Sequence, residues 1–353
     1  MEKHVSGARE SGLRLAFLCG AALLLVQGAR TQTAPLLYGP KGISAEAVRQ
    51  GGLGSCYFHA SIAAEAHTSP DLVRQAIQQT SDGPYRVTFA TGTPENVQMV
   101  DVQYARDNGY DRSDGLWVAV LLRAYAQVTL RAALVASIEA TTYPETSKQA
   151  VESVVRRSDL LLDAYDRAIR LPIDQTGTID VSGMGTALDR QLGEAGMPAM
   201  MRMQVMQFAR ARELIDTLQT ELQTNGKLFG AYRAVGQGGL PGRVLSGFGG
   251  KVSTVGTILN AGDIRPALRR VHAGAAPAIA ATRPVVAQQD VAFAQSSPWW
   301  VAGHAYTVLD YDETSDMVTL RNPWATHSSP DGTFQLSVGD FLRMFEYLDI
   351  SSS

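Results

Sequence analysis

QGGLGSCYFHASIAAEAH, Gln50 to His67, is the stretch that decides the fold: a glycine-broken turn ends on a cysteine and runs into small and apolar residues. Phe58, Ile62 and Ala66 recur at fourfold spacing, which predicts a helix with one apolar face that starts near Cys56. SAEAVRQ, just upstream, reads as a second short helical piece, with Gly51, Gly52, Leu53 and Gly54 as the turn between the two. Cys56 then falls in a first helical turn. Unpaired backbone N–H groups and the helix dipole favour an anion there, so a depressed thiol pKa is expected. Taken alone, Cys56 reads equally well as a nucleophile or as a small buried side chain.

Further upstream, Lys3, Arg9 and Arg14 precede an apolar run from Leu15 to Val26, with Gly28 and Ala29 behind it, the pattern of an export signal over residues 1–29. That run is shorter than the roughly 20 residues that span a bilayer, so membrane association is expected only if the segment stays as an uncleaved anchor. Cys19 would leave with the signal, and Cys56 would be the one thiol of a secreted or periplasmic chain, worth flagging as reactive. The chain of 353 residues carries 31 Lys plus Arg against 34 Asp plus Glu, a net charge of −3. No broad basic field results, which argues against nucleic acid and acidic lipid as partners.

Downstream, Tyr85 to Ala90 and Val97 to Val102 alternate as two strands would, and GLWVAVLLRAYAQV reads as a buried helix. Residues 130–228 read as a helical insertion, with Leu161, Tyr165 and Ala168, then Phe208, Ala211, Ile215, Leu218 and Leu222 at three- and four-residue spacing. Met197, Met200, Met201, Met203 and Met206 crowd one part of it and are expected to pack in a core, an adaptable docking surface being the alternative. VGQGGLPGRVLSGFGGKV reads as a long loop, and Ala267 to Phe293 as small-residue strands. Near the end, Ser337 and Asp340 fit a helix-capping pattern.

GHAYTVLD and MVTLRNPW read as a hairpin turning near Glu313, which sets His304 opposite Asn322 at a Cβ separation of about 5 Å. A thiol, an imidazole and an orienting amide are the parts of an acyl-transfer nucleophile: the ring takes the thiol proton and the amide fixes its tautomer. Gln50 supplies a side-chain NH₂ that, with the Cys56 backbone N–H, suits a developing oxyanion. His59, one turn along the helix from Cys56, competes for the base role but reads better as a surface or core-edge histidine. His67 and His272 show no companions, and His327 sits too close to the Pro323–Trp324 bend to judge. No histidine pair has zinc-ligand spacing, and DQTGTID from Asp174 has too few acids in register for a calcium loop, so no metal is expected.

At these residues the sequence resembles the catalytic core of the calpain family, papain-like cysteine proteases. The cysteine motif is similar over Gln50-Gly51-Gly52-Leu53-Gly54-Ser55-Cys56-Tyr57, the histidine motif over Gly303-His304-Ala305-Tyr306, and the asparagine motif over Arg321-Asn322-Pro323-Trp324. Ser55 and Tyr57 replace the family's aspartate and tryptophan, and Ala325 replaces its glycine. The resemblance implies an α+β, papain-like two-subdomain cysteine protease fold with a large helical insertion: a helical subdomain over 35–129 carrying the nucleophile and a sheet-rich subdomain over 229–353 carrying His304 and Asn322. It further implies Gln50 as oxyanion donor, Trp324 as a shield over the His–Asn bond, and Gly239 and Gly303 as backbone contacts for a protein or peptide substrate. No cofactor is implied. Ala47 and Gly115 stand where the family's core has acidic calcium ligands, so a calcium-independent endopeptidase is expected. A catalytically inactive papain-like binding module and a Cys-dependent acyl transferase are the alternatives.

Overall fold

The computed structural model describes residues 36–81, 85–139 apart from 91 and 93, scattered positions between 149 and 203, 230–255, and 261–352 apart from 327, 328 and 330. The expected signal over 1–29, most of the expected insertion over 130–228, the Asp174 turn and His327 lie outside them.

Helix α1 spans Cys56–Thr68 and begins where the glycine turn ends. Its fourfold spacing predicts one apolar face; the helix is instead buried all round from Tyr57 to Ala66. Ala60, Ser61, Ala63 and Ala64 are small enough for neighbours to close on every side, as in a helix at the centre of a core. SAEAVRQ forms only a single 3₁₀ turn, Ala45–Ala47, capped by the Ser44 hydroxyl, before Val48 turns extended. The chain leaves helical geometry there to pair with the segment that ends in Asp114, whose N–H donates to Ala47 O at 2.8 Å.

After α2 (Pro70–Ala76) a small antiparallel sheet follows, with β1 (Ile77–Gln79), β2 (Tyr85–Val87) and β3 (Glu95–Val97) in that order. The second expected strand, Val97 to Val102, is strand only at its first residue. Met99–Asp107 is helix α3, because Val102 and Ala105, three residues apart, supply a buried helical face beneath the apparent alternation. The expected buried helix is α4, Trp117–Glu139, whose residues Trp117 to Leu122 are fully enclosed; it runs on past Leu130, where the insertion was expected to start. Leu192 is buried in the same core and Met197 packs on it, whereas Met200 and Met203 are exposed, against the expectation of a methionine core.

The expected loop from Val235 holds two helices, α5 (Gly230–Gly236) against α4 and α6 (Pro241–Ser246) against α1, before β4 (Lys251–Val255). Pro241 is preset for a first helical turn, a role that its reading as a loop residue passes over. Of the small-residue segment, only β5 (Ala278–Thr282) is a strand; Ala267 lies in α7 (Ala261–Val271) and Phe293 in α8 (Val291–Ser296). Strands β6 (Ala305–Asp312), β7 (Met317–Arg321), β8 (Thr333–Ser337) and, after helix α9 (Val338–Met344), β9 (Phe345–Ser352) complete a six-stranded antiparallel sheet of order β4-β9-β5-β6-β7-β8. The Ser337 cap is present: its hydroxyl accepts from Asp340 N–H at 3.1 Å.

This sheet has two covered faces, and the twofold side-chain period of its strands separates them. Ile279, Ala305 and Leu309 join the core around α1 and α4, while Ala278, Ala280, Tyr306 and Val308 join a second core with α7 and α9. Strand β5 is consequently buried along its whole length. Thr307, on the α1 side, donates its hydroxyl to Ala60 O at 2.8 Å and pins helix to sheet. Helices and antiparallel sheets together make an α+β architecture. Among the described residues, no helix is long and apolar enough to cross a membrane.

Glu65 lies in the enclosed part of α1 with only 2% of its surface exposed. Desolvation raises its pKa from 4.5 to about 7. A carboxyl that holds its proton more tightly when folded costs stability as pH climbs from the unfolded value to the folded one, and the full cost stands above it. Glu65→Gln should therefore leave the unfolding free energy unchanged at pH 4 and raise it by about 3 kcal/mol at pH 8, measured by urea denaturation at both pH values.

Candidate active site

The turn before α1 is built by close backbone approaches that leave no room for a side chain at Gly51 or Gly54. A Cβ on Gly51 would lie 1.8 Å from Gly109 O, and one on Gly54 would lie 2.3 Å from Gly236 O. Gly51 and Gly52 donate their N–H groups to Tyr110 O at 3.0 Å and Gly109 O at 2.8 Å. The turn thus delivers Cys56 to the first position of α1, as its sequence predicts.

Cys56 is half-buried, and the depressed thiol pKa expected there is not found. Burial pushes the thiol above its ordinary value of 9.0; backbone hydrogen bonds from Ala305, Tyr57 and Cys56 oppose the shift without overcoming it. Desolvation of a thiolate is the leading effect, and the favourable backbone N–H groups at the helix start do not offset it. The Ala305 contact has a second meaning: it sets the sulfur against the first residue of β6, next in the chain to His304.

His304 Nε2 donates to Asn322 Oδ1 at 3.0 Å, with both residues buried. The hairpin register is not the expected one. Thr307 pairs with Arg321 and Val308 with Leu320, and an irregularity follows between Val308 and Asp310. His304 is therefore diagonal to Asn322 instead of opposite it. A displacement by two residues preserves the face on which each side chain stands, so the two still meet. Thr282 secures the histidine: its hydroxyl accepts from His304 N–H at 2.9 Å, and its own N–H donates to His304 O at 2.9 Å. Thr282 has no motif around it and lies 22 residues from His304, so nothing in the sequence pointed to it.

Asn322 Oδ1 also accepts from the Trp324 backbone N–H at 3.0 Å, which holds the amide oxygen toward the ring. The half-buried Trp324 indole lies over His304, with centroids 4.5 Å apart. Gln50 N–H donates to Pro323 O at 2.8 Å, and Arg321 Nη2 donates to Val48 O at 2.6 Å. These two bonds bring the glutamine segment onto the asparagine loop. The Arg321 guanidinium is fully enclosed, and desolvation lowers its pKa to about 10 against the opposing pull of Glu46 and Asp331. The Gln50 side chain is buried and its Nε2 donates to Leu53 O at 2.6 Å, which orients the amide and leaves its second N–H available.

Gly239 and Gly303 are both exposed. A Cβ on Gly239 would overlap the Tyr57 ring at 2.6 Å, so the glycine backbone lies flat against the residue that follows Cys56. Gly303 takes φ +59 and its N–H donates to Arg283 O at 3.3 Å.

The competing histidines fall elsewhere. His59 is fully buried; Nδ1 lies 3.0 Å from Ser55 O and 3.1 Å from Ser55 Oγ, and Nε2 lies 3.5 Å from Asp111 Oδ1. It is a core residue and not at a surface or core edge. His67 and His272, without companions in the sequence, meet at a shallow cavity lined also by Gly274, Leu309 and Asp310, where His272 Nδ1 is 3.0 Å from Asp310 Oδ1. Among the described residues, no three His, Cys, Asp or Glu side chains are arranged to hold a metal ion. No protein-family model matches the chain, and no curated protein matches it.

Two outcomes follow for this site. Alkylation of Cys56 by iodoacetamide should keep accelerating through pH 9 and above, and a rate that levelled off near neutrality would contradict the raised thiol pKa. Ala325, which closes the Asn322 turn with its N–H on Asn322 O, takes φ +53. An L side chain there costs about 1–2 kcal/mol relative to glycine, partly offset by glycine's greater freedom in the unfolded chain, so Ala325→Gly should raise stability by up to about 1 kcal/mol in urea denaturation.

Proposed function

We propose that the chain is an exported, calpain-like cysteine endopeptidase of papain-like two-subdomain architecture, working through Cys56, His304 and Asn322 without calcium. The observation that carries the reading is the buried bond from His304 Nε2 to Asn322 Oδ1, at the head of the strand whose Ala305 amide reaches the Cys56 sulfur. With Nε2–H given to the amide, Nδ1 is the ring nitrogen that acts as base. Because burial keeps the resting thiol protonated, its proton moves to Nδ1 as sulfur attacks rather than beforehand.

In that step the sulfur–carbon bond forms and the carbonyl π pair becomes an oxyanion, held by the Cys56 N–H and the second N–H of Gln50. Collapse of the tetrahedral species expels the amine, which takes the proton from Nδ1. Water then adds to the thioester with the ring again as base, and carboxylic acid and free thiol are regenerated. Trp324 keeps solvent from the His–Asn bond, and the backbones of Gly239 and Gly303 hold the extended substrate.

One observation favours a second reading, a catalytically inactive papain-like binding module: the desolvated thiol is less of a thiolate than the helix end predicts. Hydrolysis of a denatured protein by the purified chain separates the two. Cys56→Ala should reduce it at least about a thousandfold and abolish labelling by a peptidyl epoxide. Equal hydrolysis by the variant would overturn the assigned nucleophile. A wild type that retains peptide without turnover would favour the binding module, and incorporation of an added amine in preference to water would favour the acyl transferase.

A further inference from the structure

Asp111 is not part of any motif in the sequence, yet it is almost fully enclosed and its carboxylate is the meeting point of three elements. Oδ2 accepts from Arg106 Nη1 at 2.9 Å; Oδ1 accepts from the Ser113 hydroxyl at 2.5 Å and from Ser113 N–H at 3.3 Å. Oδ1 also lies 3.5 Å from His59 Nε2, too long for a good hydrogen bond but close for an electrostatic contact. Arg106 Nη1 donates in addition to Ser113 O at 2.7 Å, so the 111–113 turn is closed around one guanidinium nitrogen.

Two arms lead from this carboxylate to the proposed oxyanion donors. The first runs through the backbone. Asp111 forms an antiparallel bridge with Gln50, Arg112 N–H donates to Arg49 O at 2.9 Å, and Arg49 N–H donates to the Ser113 hydroxyl that Asp111 orients, at 2.8 Å. The second runs through His59, whose Nδ1 meets Ser55 O and Oγ at the residue immediately before Cys56. One buried carboxylate is therefore linked to both ends of the turn that spaces Gln50 from Cys56, through the Ser113 hydroxyl to Arg49 and through His59 to Ser55.

We propose that Asp111 is a positioning residue that sets the Gln50 side chain relative to the Cys56 N–H, so that both donors aim at one oxyanion. The inference rests on the cysteine endopeptidase reading and adds to it the residue that fixes its oxyanion geometry. Asp111 touches no substrate; it acts through the turn. Asp111→Asn keeps the shape of the side chain but weakens its hold on Arg106 and on the Ser113 hydroxyl.

The test is a double-variant cycle on peptide hydrolysis with Asp111→Asn and Gln50→Ala. Asp111→Asn should lower kcat about tenfold to a hundredfold with KM within about twofold, and Gln50→Ala about a hundredfold or more. Because Asp111 acts through Gln50, the double variant should lose at least about tenfold less than the product of the two single losses. A purely structural role would give losses that multiply, or a fall confined to the yield of folded protein. If Asp111→Asn does not fold, Ser113→Ala removes the hydroxyl between Asp111 and Arg49 and must show the same shortfall with Gln50→Ala. Multiplicative losses with an active wild type would overturn this inference alone. A wild type without turnover would overturn the endopeptidase reading, and this inference with it.

Discussion

Gln50 N–H and Pro323 O meet at 2.8 Å across most of the length of the chain, and the site depends on that bond together with the one from Arg321 to Val48 O. The glycine turn and the asparagine loop belong to different layers, and neither carries a complete chemical group set by itself. The two bonds are made by backbone and by a side chain with no access to water, so they hold over a narrow range of positions. Through them, the spacing of Gln50, Cys56, His304 and Asn322 follows from the packing of α1 on β6, which Thr307 and Ala60 pin from the other side.

Burial sets the electrostatics of this region more than charge does. The thiol is pushed up, the Arg321 guanidinium is pushed down to about 10 and the Glu65 carboxyl is pushed up to about 7, each with desolvation as the leading cause. A low-dielectric interior disfavours the charged form of any group irrespective of sign. The helix-end field, which suffices to predict a thiolate from the sequence, is the smaller effect once the cysteine is partly buried. The His304–Asn322 bond fixes the tautomer of a buried imidazole, which is what the proposed role of base to such a thiol requires.

Where local pattern and tertiary packing agree, the sequence was readable. The glycine turn into α1, the enclosed helix α4, the β6–β7 hairpin and the Ser337 cap all stand where their residues put them. Where two periods fit one stretch, it misled: Val97 to Val102 alternates like a strand, but Val102 and Ala105 are drawn into the core as a helical face. Glycine and proline around Val235 to Val252 read as breakers, although Pro241 opens a helix. The hairpin register depended on an irregularity after Val308 that no residue type announces. His304 and Asn322 still met because the resulting slip was even.

From the sequence alone came the residue types, their order along the chain and the helix that presents the cysteine, since turn chemistry and hydrophobic period act over a few residues. Which groups come together, how deeply each is buried and hence which way each titrates were decided only by tertiary structure. Thr282 and Asp111 carry no local signal, because a supporting side chain is defined by what packs against it. Contacts between segments more than 200 residues apart arise from the closing of one layer on another, and no short window of sequence contains that information.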